Sequence, residues 1–164
     1  MFFRENPVSE TQKTELLAAL MPLCDAVADI DLNAVDAGAQ LETRIATGSE
    51  IIQRVEALSR QGLEAGWLCP RENQGVAFGR VAKPTESTHN LSIDAVYMSG
   101  AGAAHTHPNG EVSICFATEG EPTFEGYADG WVVKAPGSSH IPTVTGGKML
   151  ILYFLPEGAM EWGA

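Results

Sequence analysis

The stretch "HTHPNGE", His105 to Glu111, holds two of the chain's four histidines one residue apart, with a carboxylate four residues further on. Side chains alternate between the two faces of a strand, so His105, His107 and Glu111 point the same way if one strand runs through all three. Pro108 and Gly110 are residues that can bulge such a strand. Buried polar groups without partners cost about 1–3 kcal/mol each. The cluster therefore predicts that these three side chains contact one common binding partner.

A divalent transition metal suits this cluster, because neutral imidazole nitrogens and carboxylate oxygens bind first-row metals. A third imidazole, His140, follows a tight turn at Pro136 and Gly137, at the start of another predicted strand. Three imidazoles and one carboxylate leave one or two coordination positions open, which is typical of catalytic sites. Taken alone, an H-x-H pattern is as often a surface feature or a hydrogen-bonded pair as it is a metal site. The added Glu111 and His140 favour the metal site.

Composition limits the function further. The chain has 164 residues, 45% hydrophobic and 19% charged, which is typical of one folded domain. A formal net charge of −11 disfavours nucleic acid and anionic membrane surfaces as partners. The longest apolar run, "MLILYFL" at 149–155, is too short to span a bilayer, and the N-terminus lacks the apolar core of a signal peptide. Cys24, Cys69 and Cys115 are widely spaced without a C-x-x-C pattern, which indicates reduced thiols in a cytoplasmic protein.

Residues 1–66 read as a helical segment and residues 67–164 as a β-rich one, and we expect them to form one structural unit. The capping-box spacing of "SETQ" predicts a first helix from there, which ends near Pro22 or resumes briefly after it. A second helix is predicted within "AVDAGAQLETRIA". The clearest is "SEIIQRVEALSRQGLEAG", capped by Ser49 or Thr47 and ended by Gly66. Its apolar stripe is predicted to comprise Ile51, Ile52, Val55, Leu58 and Leu63.

After Trp67 the sequence changes to short apolar runs separated by Gly, Pro, Asn and Asp. The predicted strands are "GVAFGRV", "LSIDAVYMS", "EVSICFATE", "GWVVKA", "IPTVT" and "KMLILYFL". Several short strands at even spacing, with turn signals between them, favour a small antiparallel barrel or sandwich. We expect the helices to pack on this barrel.

Two stretches together resemble the cupin superfamily: "GAGAAHTHPNGEVSICFATEG" at 100–120 and "GWVVKAPGSSHIPTV" at 130–144. The first carries a glycine, H-x-H, a glutamate and a later glycine. The spacing from Glu111 to Gly120 is two residues longer than the common form. In the second stretch Pro136 and Gly137 are adjacent, and Val144 stands where the family often has Asn. These departures leave the quartet of predicted ligands intact.

The cupin resemblance covers about residues 76–155 and implies a mainly β fold. That fold is the cupin double-stranded β-helix, or jelly-roll barrel, with the N-terminal helical segment packed on it. It also implies one divalent metal ion per chain, held by His105, His107, Glu111 and His140, and a homodimer. The donor set suits Fe, Mn, Ni, Co, Cu or Zn, so the metal's identity stays open.

The whole layout is similar to the 4-hydroxylaminobenzoate lyase family, on "FGRVAKP", "HTHPNGE", "GWVVKAPGSSHIPTVTGG" and "MLILYFLPEGAMEW". This resemblance implies conversion of 4-hydroxylaminobenzoate to 3,4-dihydroxybenzoate with release of ammonia, in bacterial nitroaromatic degradation. The substrate would then be a small aromatic carboxylate.

Candidate roles follow from that substrate. Glu111 is the candidate catalytic base as well as a ligand. Arg80 and Lys83 are the candidates for the substrate carboxylate, since a guanidinium matches a carboxylate, and Arg80 is also a candidate catalytic residue. A surface ion pair explains Arg80 equally well. The candidates for an aromatic slot are Tyr97, Tyr153, Phe116, Trp131 and Phe154.

Two alternatives to the lyase stay open at this point. One is an Fe-dependent cupin dioxygenase that acts on a small aromatic acid, which would consume oxygen. The other is a non-enzymatic cupin that binds a small molecule, for which ligand substitutions would change affinity but abolish no turnover. The complete set of four ligand residues weighs against the binding protein.

Overall fold

The computed structural model describes residues 7–163, and in that range three helices precede nine strands. The helices are α1 (Pro7–Ala28), α2 (Ala37–Arg44) and α3 (Glu50–Ala65). The strands are β1 (Arg71–Asn73), β2 (Val76–Ala82), β3 (Leu91–Ala101), β4 (His105–His107), β5 (Glu111–Phe124), β6 (Gly130–Lys134), β7 (Ser138–His140), β8 (Thr143–Pro156) and β9 (Glu161–Trp162). The predicted mainly β, cupin-type jelly roll with helices at its N-terminus is confirmed. None of the described helices has the length and apolarity needed to span a bilayer.

The strands form two antiparallel sheets. The larger has the order β1-β2-β3-β8-β5-β6 and the smaller the order β7-β4-β9. Both β5 and β8 have 14 residues, and their pairing is interrupted by irregularities between Ala117 and Glu119 and between Gly120 and Thr123. Such irregularities bend a strand. The predicted strand "KMLILYFL" and the last three residues of the predicted strand "IPTVT" lie in one strand, β8, whereas Ile141 and Pro142 precede it.

The larger sheet is buried on both faces, which explains why β8 reads as a continuous apolar run. Its outer face carries Ile114, Phe116, Leu152 and Phe154, which belong to one core with the helices. Its inner face lines the barrel with a second cluster: Met98, Cys115, Phe124, Val132, Val144, Met149 and Ile151. Each fully buried side chain of this kind contributes about 1.5–3 kcal/mol to folding.

Helix α3 follows the sequence prediction closely. Ser49 Oγ accepts a hydrogen bond from Ile52 N, and Gly66 ends the helix in the left-handed region at φ 85°. The prediction is wrong for Ile51, which is 41% exposed, whereas Ile52 and Val55 are buried. Adjacent helical residues point about 100° apart. Because Ile52 faces the core, Ile51 points away from the apolar stripe.

Helix α1 does not end near Pro22. It continues from Pro7 to Ala28 with Pro22 inside it, and Ser9 lies within the helix rather than at its cap. A proline inside a helix removes one backbone hydrogen bond. Leu20 and Leu23, on either side of Pro22, are fully buried. Their packing explains why the helix continues. The division into residues 1–66 and 67–164 stays a prediction. One hydrogen bond joins the two segments: Trp131 Nε1 on β6 donates to Ile45 O, 2.9 Å away.

Candidate metal centre

The four predicted ligands come from three strands and both sheets. His105 and His140 are directly opposed residues of β4 and β7 in the smaller sheet. Glu111 is the first residue of β5 in the larger sheet. The condition that one strand runs from His105 through Glu111 is not met, because the chain turns between β4 and β5 and crosses from one sheet to the other. The side chains nevertheless meet, since the two sheets face each other across the barrel.

The crossing turn depends on Gly110. Its φ is 87°, and an added Cβ would lie 3.0 Å from the carbonyl oxygen of Lys134. Gly110 N donates to His107 O at 3.2 Å, and Gly137 N donates to the same carbonyl at 2.7 Å. The His107 carbonyl therefore holds the turn at Pro136 and Gly137 against the end of β4. This contact brings His140 beside the H-x-H pair.

The ligand atoms converge closely. The three imidazole Nε2 atoms form a triangle, with 3.0 Å between His105 and His107, 2.8 Å between His107 and His140, and 2.9 Å between His140 and His105. Glu111 Oε2 lies 3.0 Å from His107 Nε2. All four ligand atoms lie within 4.8 Å of one another. His107 is fully buried, and His105 and Glu111 are nearly so.

The outward-facing ring nitrogens indicate which tautomer each imidazole adopts. His105 Nδ1 lies 3.0 Å from Ala103 O, and His140 Nδ1 lies 2.6 Å from Glu125 Oε1. A carbonyl and a carboxylate accept hydrogen bonds, so both Nδ1 atoms carry the proton. In a neutral ring Nε2 then presents a lone pair. Two lone pairs 2.9 Å apart repel each other unless a cation lies between them.

The spacing also fits a metal ion. Two ligands at right angles, each about 2.1 Å from a common ion, are about 3.0 Å apart. The four shortest separations in the cluster are between 2.8 and 3.0 Å. His107 Nδ1 is buried and has no hydrogen-bond partner among residues 7–163. The residues present therefore fit a divalent cation.

The protonation states of His105 and Glu111 suit metal binding. Burial, followed by the neighbouring His107 ring, lowers the pKa of His105 and so favours the neutral, metal-binding form of that ring. Burial acts to raise the pKa of Glu111. The contact with the His107 ring, whose Nε2 lies 3.0 Å away, and the hydrogen bond from Ser113 outweigh it, so the pKa of Glu111 lies below its ordinary value. The Ser113 hydroxyl donates to Glu111 Oε1 at 2.9 Å. Glu111 is thus held as a carboxylate.

The ligands His105, His140 and Glu111 line one part of a cavity of about 360 Å³ inside the barrel. Its apolar walls comprise Val76, Phe78, Val96, Met98, Phe124 and Ile151. Tyr153 and Ser113 also face it, and Trp162 lies against it with its ring 5.6 Å from that of His105. Asn73 and Gln74 contribute neutral amides at the β1–β2 turn. None of the described lining residues is a lysine or an arginine.

The predicted substrate-binding residues separate into two groups. Tyr153 lines the cavity, and burial raises the pKa of its phenol, followed by the charges of Asp94 and Glu111. Tyr97 lies on the opposite face of β3, among the hydrophobics of the helix-side core. Arg80 does not line the cavity; its Nε donates to Asp94 Oδ1 at 3.0 Å. Lys83 is exposed beyond the end of β2.

The same alternation explains the other aromatic candidates. Phe116, Trp131 and Phe154 belong to the helix-side core and not to the cavity. The aromatic residues that sequence reasoning missed are Phe78, Phe124 and Trp162, which line the cavity. Phe78 shares strand parity with Val76, which was a usable signal. Trp162 had none, because its place beside His105 depends on the pairing of β9 with β4.

Comparisons with known proteins show which family the chain is similar to. Residues 19–162 match the model of one protein family, described as PnbB, 4-hydroxylaminobenzoate lyase. A protein named 4-hydroxylaminobenzoate lyase from Nocardioides sp. (strain LMS-CY) is 33% identical over 125 residues, which cover 70% of this chain and 74% of the relative. One of the same name from Pseudomonas putida is 30% identical over 132 residues, covering 70% of this chain and 75% of the relative.

Solved structures with a more distant likeness include an RmlC-like cupin from Ralstonia eutropha JMP134. It is 12% identical with a TM-score of 0.43, and the match covers 56% of this chain and 62% of that one. A double-stranded β-helix protein from Klebsiella pneumoniae is 16% identical with a TM-score of 0.43, covering 59% and 91%.

Proposed function

Because the chain belongs to the 4-hydroxylaminobenzoate lyase family, we propose that it is a metal-dependent lyase acting on a small aromatic hydroxylamine acid. The proposed reaction converts 4-hydroxylaminobenzoate to 3,4-dihydroxybenzoate and ammonia. The observation that carries the proposal is the convergence of three imidazole nitrogens, within 3.0 Å of one another, on an apolar cavity of about 360 Å³. Such a cavity accommodates one substituted aromatic ring.

The reaction balances with one water consumed and one ammonia released, without an external oxidant or reductant. The N–O bond breaks, and its electron pair leaves with the hydroxyl oxygen, which needs a proton. Water adds to the electron-poor ring and loses a proton. A second water replaces the nitrogen at the ring carbon that carried it, and the nitrogen leaves as ammonia. One water forms from the leaving hydroxyl, so the net consumption is one water. The site therefore needs one proton donor and one proton acceptor.

A divalent cation at this centre supplies a Lewis acid that makes the hydroxylamine oxygen a better leaving group. Tyr153 is our candidate donor, because its phenol lines the cavity and a phenol is protonated at neutral pH. Glu111 is our candidate acceptor, since it is the only carboxylate among the described residues of the lining. Ser113 holds Glu111 Oε1, the oxygen that is not directed at His107.

The cavity walls orient the substrate. The flat ring fits between Phe78 and Ile151 on the larger sheet and the Trp162 side of the smaller one. We propose that the hydroxylamino group points to the imidazoles and the carboxylate to the β1–β2 turn, where Asn73 and Gln74 offer amide N–H groups. Arg80 and Lys83 do not line the cavity, so these amides are the candidates for the substrate carboxylate in their place.

Cytoplasmic location, a role in nitroaromatic degradation and a homodimeric state complete the proposal. The first rests on the three cysteines, which are free thiols outside any disulfide, and the other two rest on the family resemblance. Light scattering of the purified chain tests the dimer, which requires twice the 17.5 kDa mass of one chain.

The experiment that tests the function uses protein stripped of metal and reloaded with one metal at a time. Each form is incubated with 4-hydroxylaminobenzoate in the absence of oxygen, and ammonia and 3,4-dihydroxybenzoate are measured. We expect both products in equal amounts from at least one metal form and none from the stripped protein. Each form is also incubated with oxygen present, and turnover seen only there would indicate the dioxygenase instead. No product from any metal form would refute the lyase.

A further inference from the structure

Glu125 lies outside both sequence motifs, yet it contacts the candidate metal centre directly. It follows the last residue of β5, and its Oε1 lies 2.6 Å from Nδ1 of His140. Its side chain is 15% exposed, so water competes little for this contact. Sequence reasoning missed Glu125, because it lies 15 residues from His140 and no spacing rule connects them.

The backbone at Glu125 indicates that its side chain is needed there. Glu125 has φ 51° and is followed by Gly126 at φ 89°. The turn is closed by hydrogen bonds between the backbones of Phe124 and Tyr127, of 2.7 and 2.9 Å. Two-residue turns with positive φ favour glycine, asparagine or aspartate, and a glutamate there is strained. The local backbone thus favours a different residue, so the reason for a carboxylate here lies in its side-chain contacts.

The second carboxylate oxygen has its own partner. Lys134 Nζ, at the end of β6, lies 2.7 Å from Glu125 Oε2, and the lysine side chain is 24% exposed. A mostly buried carboxylate is costly without compensating charge. The ammonium compensates the charge of Glu125 through the carboxylate oxygen that does not contact His140. Lys134 is also the residue paired with Glu111 across β5 and β6, so the group is joined to the ligand set through the larger sheet.

We infer that Glu125 is a positioning residue for the metal centre, and that it acts through His140. By accepting the Nδ1–H hydrogen bond it keeps the Nε2 lone pair of His140 directed at His105 and His107. A carboxylate partner also makes an imidazole a more basic ligand. This inference rests on the proposed cation-binding function.

The test measures Co²⁺ binding to the full chain by chelator competition, together with the visible absorption of the cobalt form. The variants are Glu125→Ala, Glu125→Gln and Glu125→Gly. Glu121→Gln is the matched control, since Glu121 is an exposed glutamate of β5, four residues before Glu125. We expect Glu125→Ala to weaken Co²⁺ binding by roughly 10–100-fold, the usual effect of losing such a partner. Glu125→Gln should weaken it less, because its amide oxygen still accepts the Nδ1–H bond.

Glu125→Gly separates positioning from mere stability. Glycine relieves the positive-φ strain, so the melting temperature of the metal-free protein should not fall, while Co²⁺ affinity drops as in the alanine variant. The cobalt absorption should shift in the three Glu125 variants and not in Glu121→Gln. Unchanged affinity and absorption in Glu125→Ala would overturn the inference and leave the lyase proposal intact. Failure of the wild-type chain to bind any divalent metal would overturn the metal centre itself.

Discussion

His107→Ala is the substitution that tests the candidate metal centre most directly. The Nε2 atom of His107 lies within 3.0 Å of the ligand atoms of His105, His140 and Glu111, so it takes part in three of the four short contacts of the cluster. Loss of an outer hydrogen-bond partner weakens metal binding by about 10–100-fold. Loss of this ligand should weaken it by more than about 100-fold.

The effect is measurable as lost stabilisation by metal. At a metal concentration of 100 times Kd, binding stabilises the wild-type fold by about 2.7 kcal/mol. For a domain of this size that corresponds to a rise in Tm of about 5–11 °C. With a Kd that is 100-fold weaker, the same concentration contributes about 0.4 kcal/mol, or about 1–2 °C.

The metal-free protein should tolerate the substitution. Removing a fully buried side chain costs about 2–5 kcal/mol. The ring of His107 also carries a buried Nδ1 with no hydrogen-bond partner among the described residues, and its removal recovers about 1–3 kcal/mol. The two effects oppose each other, so we expect a net loss of about 1–2 kcal/mol and a cooperative unfolding transition.

Thermal unfolding with and without added metal, together with elemental analysis, measures both quantities. His89→Ala is the matched control, because His89 is exposed and contacts Asp25 rather than the metal centre. The control should keep the full rise in Tm on metal addition. A His107→Ala protein that retains full metal occupancy and the same rise in Tm would refute the ligand assignment.

Three further predictions follow from the structure. Tyr153→Phe should lower kcat by about 100-fold or more while elemental analysis finds unchanged metal content, and unchanged kcat would exclude Tyr153 as the proton donor. Burial raises the pKa of Asp94 against the opposing effect of Arg80, so folding binds protons at this carboxyl and its contribution to stability falls as pH rises through that raised pKa. Asp94→Asn should remove this dependence, so its stability relative to wild type should increase with pH above about 4, and parallel stability curves would contradict the assignment. Gly110→Ala should destabilise the fold by about 1–3 kcal/mol in chemical denaturation, because its φ is 87° and the new Cβ would lie 3.0 Å from Lys134 O; an unchanged denaturation midpoint would contradict this.

The ligand set shows how far local reasoning reaches. His105, His107 and Glu111 were identifiable as a group because they lie within seven residues, and His140 because a proline–glycine turn precedes it. The reasoning from strand parity reached the right residues by a wrong route, since the chain turns and changes sheets before Glu111. Because these three residues lie within seven positions, their side chains come together whether the chain continues as one strand or turns between two sheets.

The sequence by itself determined the mainly β fold, the helices before it and the four candidate ligands, because alternation, turn residues and donor chemistry are properties of short segments. The tertiary structure alone decided which aromatic rings face the cavity, that Arg80 pairs with Asp94, and that Glu125 holds His140. Each of these contacts depends on the register between strands separated by long stretches of chain. That register is set by the packing of both faces of the larger sheet at once, which no local pattern encodes.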